Sequence, residues 1–216
     1  MKQRTVRKAA VKQPPPRRTT RNLQQSRKEI LDVAFMEVFR HGFQGVSVDD
    51  IVKKTSLTKG AFYHHFPTKL DLGYALVDDV VKPMIIERWI TPLSRYPNPL
   101  QGIAEQMETL IGGMDPSLMI LGCPLNNLVQ EMAPVDMGFR KRLQAALVLW
   151  IAELEVHLQR GKKLGFIKKD VNTSQVAHFV VMTHEGMYGL LKGLNDPGLF
   201  EVLFASFRNY LRTIEA

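Results

Sequence analysis

From Ser26 onward, apolar residues recur at helical spacing. Ile30, Ala34 and Val38 fall four apart, as do Leu31, Phe35 and Phe39, and the two rows merge into one broad apolar face. Gly42 follows as a stop. Ser47-Val48-Asp49-Asp50 reads as a new start: Ser47 can cap free backbone N–H groups, and Asp50 sits in the first turn, where negative charge is favoured. This second helix is short, ending near Thr55. Ser56-Leu57 makes a turn, and Thr58 can cap a third helix running through Phe66. Pro67 opens a fourth, because proline costs nothing at a first helical position. The fourth carries Leu70, Tyr74, Leu76, Val77, Val80 and Val81. Pro83 falls inside that pattern and either kinks one long helix or begins another. Further helices are predicted over about 99–112, 124–133, 135–164, 173–194 and 198–214. The long one at 135–164 sets Phe139, Leu143, Leu147, Trp150, Leu154 and Leu158 on one face, and Gly161 and Gly165 close it. No alternating pattern of strands competes, so the chain reads as all-α, without an internal repeat.

The bulk composition narrows the class. A chain of 216 residues, 45% hydrophobic and 23% charged, suits one medium domain, or a small domain joined to a larger one. No uncharged apolar run is long enough to span a bilayer, so a soluble chain with no membrane partner is expected. With one cysteine there is no intrachain disulfide, and a reducing cytoplasm is the natural home. The net charge of +8 changes the picture through its placement. Of 29 lysines and arginines, eight lie in residues 1–22 with no acid among them, which leaves 21 against 21 acidic residues elsewhere. The pI of 9.6 therefore says nothing of a basic fold. Residues 1–22 are poor in large apolar groups and contain Pro14-Pro15-Pro16, which favours extended backbone. They lack the apolar core of a secretory signal, and the triple proline breaks any amphipathic presequence helix. Two readings stay open: a solvated tail, or an arm on DNA phosphates. The expected division is a disordered basic arm over 1–22, a three-helix DNA-binding unit over 23–70, and a larger helical domain over 71–216.

Two short helices joined by a tight turn and packed on a longer one form a helix-turn-helix, whose second helix enters the major groove. Here that helix begins Thr58-Lys59-Gly60-Ala61 and continues Phe62-Tyr63-His64-His65-Phe66. Gly60 and Ala61 let backbone approach DNA closely. Thr58, Lys59, Tyr63 and His64 can contact phosphates or bases, while Phe62 and Phe66 pack inward. Together with Ile30-Leu31-Asp32-Val33-Ala34, Phe39, Gly42-Phe43, Val46 through Ile51, and Lys69, this run over residues 26–73 resembles the DNA-binding domain of the TetR family of repressors. Thr55-Ser56 stands where the family usually has alanine-glycine, and Val52 where it has alanine. The resemblance implies an all-helical homodimer presenting two recognition helices to a roughly palindromic double-stranded operator. It also implies a C-terminal pocket for a small-molecule effector, with the fourth helix linking pocket to head. By the same resemblance Tyr63 and Lys69 hold phosphates, and Ser47 is assigned to the DNA contacts with them.

The C-terminal half carries weaker signals. Gly186, Gly189 and Gly193 share one helix face, each costing up to about 1 kcal/mol relative to alanine. They allow a close helix approach, either inside one subunit or at a dimer seam, and the resemblance favours the seam. Phe200, Phe204 and Phe207 on the last helix, with Leu203, Leu211 and Ile214, offer more apolar width than one core face needs and are assigned to the same seam. Gly122-Cys123-Pro124-Leu125-Asn126-Asn127-Leu128 resembles a motif of the family branch that includes repressors of reductase and detoxification genes. Proline at a first helical position puts Cys123 at the cap, where free N–H groups favour thiolate. A sensor for electrophiles or oxidants and an inert residue fitting the turn both remain open, and no Lys, Arg or His lies within five residues. Cys123, Trp150, His184 and Tyr188 are the candidate pocket residues, and the ten methionines suit an adaptable apolar wall.

His178 and His184 have neither i, i+4 spacing nor a cysteine neighbour in sequence, so they read as core or pocket-lining residues rather than metal ligands. No motif calls for a cofactor. An enzyme built on Cys123 and a nearby histidine lacks any supporting phosphate loop, carboxylate pair or ligand set. A sequence-independent DNA-packing protein using the basic leader is the other rival reading.

Overall fold

A computed structural model of the chain describes residues 20–216, with side chains from Leu23 onward. Most of the proposed arm, residues 1–19, lies outside the described residues. Its last three, 20–22, already belong to the first helix.

Helix α1 (Thr20–His41) ends at Gly42, whose φ of 78° is the left-handed geometry that glycine adopts freely. Helix α2 (Val48–Lys53) starts as the sequence indicates. The Ser47 hydroxyl accepts from the Asp50 N–H, and the Asp50 carboxylate accepts from the Ser47 N–H, a reciprocal cap. In α3 (Lys59–His65) the Thr58 hydroxyl accepts from the Ala61 N–H. These three helices close on Ile30, Ala34, Phe43, Val46, Ile51, Phe62 and Phe66, all buried. Truncating a ring as enclosed as Phe62 costs about 3–5 kcal/mol. The fourth helix does not begin at Pro67. Thr68 is its cap, with Asp71 completing a second reciprocal pair, and Pro67 stands outside. A hydroxyl that can satisfy an N–H outcompetes a proline that merely tolerates the position.

Helix α4 spans 69–93 without interruption, which settles the reading of Pro83 in favour of one long helix. It alternates between α stretches (Lys69–Leu76, Lys82–Ile85, Thr91–Leu93) and wider π stretches (Val77–Val81, Ile86–Ile90). Each π stretch ends two residues before a proline, Pro83 and Pro92. A proline ring clashes with the carbonyl four residues back, and the π register opens the ladder there. The buried side of α4 explains the need for it. Leu72, Leu76, Val81, Ile85, Trp89 and Leu93 are buried at steps of four or five. At 100° per residue, each four-residue step in a plain α-helix drifts by about 40°. The π stretches absorb that drift and keep the stripe on one side.

The remaining helices are α5 (99–112), α6 (Pro116–Met119), α7 (Pro124–Met132), α8 (Met137–Lys163), α9 (Thr173–Leu194) and α10 (Leu199–Ile214). The short α6 was not anticipated. Helix α8 buries Phe139, Leu143, Trp150, Leu154 and Leu158 as its periodicity predicts, and Leu147 is half-buried. Gly161 does not end it: that glycine is buried inside the helix, where a Cβ would lie 2.3 Å from the Pro99 ring. Gly165, with φ 86°, is the stop.

Head and body are joined by specific contacts. The Glu131 carboxylate at the far end of α7 accepts from the Phe43 and Gln44 N–H groups at 2.8 and 2.7 Å. Phe43 packs edge-on against Phe139 at 4.8 Å between centroids, and the Tyr74 hydroxyl donates to Asp136 at 3.0 Å. In the first π stretch, Asp79 pairs with Arg27 of α1 and Asp78 with Arg142 of α8, so neighbouring acids hold one arginine from each half.

Candidate DNA-reading surface and effector cavity

The outward face of α3 is made of Thr58, Lys59, Gly60, Tyr63 and His64, all exposed, while Ala61, Phe62 and Phe66 are buried. Tyr63 is 49% exposed although it touches the edge of Phe62, so its ring stands out from the head. Gly60 has no internal reason to lack a side chain: a Cβ there would meet only the Thr58 hydroxyl, at 3.8 Å. Lys59 pairs with Asp49 of α2 at 2.6 Å, and that hydrogen bond raises its pKa, so the ammonium is held at the surface with its charge intact. Ser47 is exposed at the start of α2, its hydroxyl engaged in the cap. Lys69 is half-buried: its ammonium lies 4.7 Å from the centre of the Phe43 ring, and burial lowers its pKa. All seven sequence-derived positions thus lie on the head, five of them on the face of one helix and its cap.

The second feature is a cavity of about 180 Å³ where head and body meet. Phe35, Met36 and Phe39 of α1 form one wall, and Met84, Arg88 and Trp89 of α4 a second. Leu110, Met114 and Leu118 lie opposite, and Cys123, Pro124, His184 and Tyr188 complete the lining. Three of the four pocket residues inferred from sequence are here. Trp150 is not. It is buried behind the wall, its ring 4.9 Å from that of His184, and its periodicity on α8 could not tell wall from backing. The contributions of α1 and of Arg88 were missed, because α1 reads from its pattern as a core helix of the head.

Cys123 does cap α7, but its surroundings oppose the thiolate that the helix start favours. The side chain is buried, and its Sγ donates to Glu185 Oε1 at 3.3 Å. Burial and the adjacent carboxylate push the thiol pKa well up, outweighing the helix start. Burial likewise raises the Tyr188 hydroxyl, which donates to the Leu110 carbonyl at 3.3 Å. The His184 ring is held edge-on against Trp89, Trp150 and Tyr188 at centroid distances of 5.1, 4.9 and 5.0 Å.

On the far side of α9, Gly186, Gly189 and Gly193 are exposed, and a Cβ on any of them would meet nothing within 4 Å among the described residues. Packing inside the subunit is therefore not their reason. Phe200, Phe204 and Phe207 correct the sequence reading in the other direction. All three are buried within the protomer: Phe200 covers Gly112, where a Cβ would lie 2.5 Å from its ring, and Phe207 stacks on Phe179. The amphipathic period of α10 marked a buried face correctly but not which neighbour buries it.

Comparison with known proteins gives this geometry a family. Residues 30–75 match the model of bacterial regulatory proteins of the tetR family, and residues 99–207 match the tetracyclin repressor-like C-terminal domain. The chain belongs to the TetR family. Among TetR-family relatives, an uncharacterized HTH-type transcriptional regulator from Lactococcus lactis is 27% identical over 183 residues, 85% of this chain and 91% of that one. The HTH-type transcriptional repressor DhaR of Mycobacterium sp. is 22% identical, covering 74% of this chain and 79% of its own. A TetR-family regulator from Cytophaga hutchinsonii has the same fold, with a TM-score of 0.80 at 20% identity over 90% of this chain and 96% of that one. This TetR-family protein is accordingly a DNA-binding transcriptional regulator, and among the described residues no helix is long and apolar enough to cross a membrane.

Proposed function

We propose that the protein is a homodimeric repressor that grips a roughly palindromic operator with α3 of each subunit and releases it when a small molecule enters the cavity under α1. The observation that carries this reading is the cavity's wall. Phe35, Met36 and Phe39 belong to the helix on which α2 and α3 pack, so an occupant touches the DNA-reading head directly. The volume, about 180 Å³, suits a molecule near the size of one aromatic ring, since a cavity of about 150 Å³ admits benzene. The lining is apolar apart from Arg88, the edge of His184 and the Tyr188 hydroxyl, which points to a small apolar effector with one polar end. The mycobacterial relative's name supplies the sign of regulation.

The test is footprinting on the DNA upstream of the gene at physiological salt. A protected two-fold site, bound at least about 10³ times more tightly than random DNA, is expected. Equal affinity for random DNA would instead support sequence-independent packing.

The dimer face is the outer side of α9 and α10. Met182, Leu190, Leu194 and Val202 are 62%, 47%, 64% and 63% exposed there, beside the open glycine row. Scattered exposed apolar residues are ordinary, but here a mostly apolar groove lined by Phe179, Gly186, Leu190, Leu203 and Phe207 runs between the two helices, which suits an isologous interface. Gly189→Leu should yield a folded monomer in sedimentation, because the position is exposed and an added Cβ meets nothing within 4 Å among the described residues of its own subunit. A dimer of unchanged affinity would move the seam elsewhere.

A further inference from the structure

Cys123, His184 and Glu185 meet between the cavity and the core, although Cys123 and Glu185, brought by α7 and α9, are 62 positions apart in sequence. Glu185 Oε1 lies 3.3 Å from Cys123 Sγ and 3.2 Å from His184 Nδ1. One donor atom from each of the three lies within 4.8 Å of the other two. We propose that these three side chains bind one thiophilic divalent metal ion of the zinc type.

The spacing supports it. Zinc bonds of about 2.3 Å to sulfur and 2.0–2.2 Å to nitrogen and oxygen put neighbouring donors of a tetrahedron roughly 3.3–3.6 Å apart. Two edges of the triangle are already close to that. The third edge, no longer than 4.8 Å, closes by about 1 Å on a turn of the thiol. The donor types agree as well, since a mixture of thiolate, imidazole and carboxylate suits a borderline-soft ion rather than magnesium or calcium.

Charge gives an independent argument. Glu185 Oε2 is buried and has no hydrogen-bond partner among the described residues, an expensive arrangement for a carboxylate oxygen. A dication that displaces the thiol proton brings the site to neutrality: one thiolate and one carboxylate against two positive charges. The three aromatic rings around His184 fix its plane, so little side-chain freedom is lost on binding. Cys123 and His184 also line the cavity, which leaves a fourth coordination position facing it.

Cobalt(II) is the probe, added anaerobically to reduced, chelator-treated full-length protein. Cys123 is the chain's sole cysteine, so a thiolate-to-cobalt charge-transfer band reports this residue alone. The expected result is one cobalt per chain, with that band and the intense visible bands of tetrahedral cobalt, all displaced by zinc. Glu185→Gln is nearly isosteric and should weaken cobalt binding by at least about tenfold, the loss that even outer-shell changes produce. Its circular dichroism should match the parent. His184→Gln should act in the same direction. No charge-transfer band at saturating cobalt, or unchanged affinity in folded Glu185→Gln, would overturn the assignment. The titration contains no DNA, so its outcome is independent of whether operator repression is the right reading.

Discussion

Leucine at position 60 should abolish tight operator binding while leaving the protein as stable as the parent, or slightly more so. The two effects have opposite signs because Gly60 answers to nothing inside the fold. It is exposed near the start of α3, and the nearest atom to an added Cβ is 3.8 Å away. Leucine is a better helix former than glycine by up to about 1 kcal/mol, so the melting temperature holds or rises. On the outer side, the bulk stands between α3 and the floor of the groove. Loss of one or two base contacts at about 1–3 kcal/mol each weakens binding by about a hundredfold or more. Fluorescence anisotropy with the footprinted site and a thermal melt measure the two quantities. Parental DNA affinity in the leucine protein would take α3 out of the groove.

Gly73→Ala should behave in the opposite way, damaging the fold at the joint between head and body. An added Cβ would lie 2.4 Å from Phe139 and 2.6 Å from Phe43, distances that real carbons do not keep. Both rings are buried, and Tyr74 closes on Phe139 from the other side, so neither swings away freely. Overpacking of this kind costs about 1–3 kcal/mol, a fall of roughly 3–10 °C in melting temperature for a chain of this size. Phe139→Leu removes the nearer obstacle. The double mutant should therefore be more stable than the sum of the two single losses predicts, by about 1 kcal/mol. Simple additivity would mean that the clash is relieved elsewhere.

Local physics accounts for what the sequence disclosed. Ser47 and Thr58 cap helices because their hydroxyls need only an N–H three residues on, and the in–out order along Ala61, Phe62, Tyr63, His64 and Phe66 follows from one turn of helix. The glycine row of α9 was legible for the same reason, since three residues on one face can be counted. What stayed hidden depends on distant partners. Cys123 and Glu185 are 62 positions apart, and neither the burial nor the carboxylate that together raise the thiol pKa leaves a trace near the cysteine. Trp150 looks like a pocket residue until His184 is seen in front of it. Phe200, Phe204 and Phe207 form a good apolar stripe on either reading, and only the placement of Gly112 and Phe179 decides that the stripe turns inward. The π stretches of α4 were invisible because an apolar run such as Leu76, Val77, Val80 and Val81 fits more than one helical register.

Those stretches give α4 slack in its length. Each is in effect one residue added to an α ladder, taken up by the wider turn instead of being passed on as rotation. Deleting one residue within 77–81 would let the backbone close into plain α turns, and Lys82 to Leu93 would keep nearly the same phase against the head, with Trp89 still at the cavity wall. Loss of a second residue there finds no such slack and would turn the rest of the helix by about 100°. This part of the chain should therefore tolerate the loss of one residue far better than the loss of two.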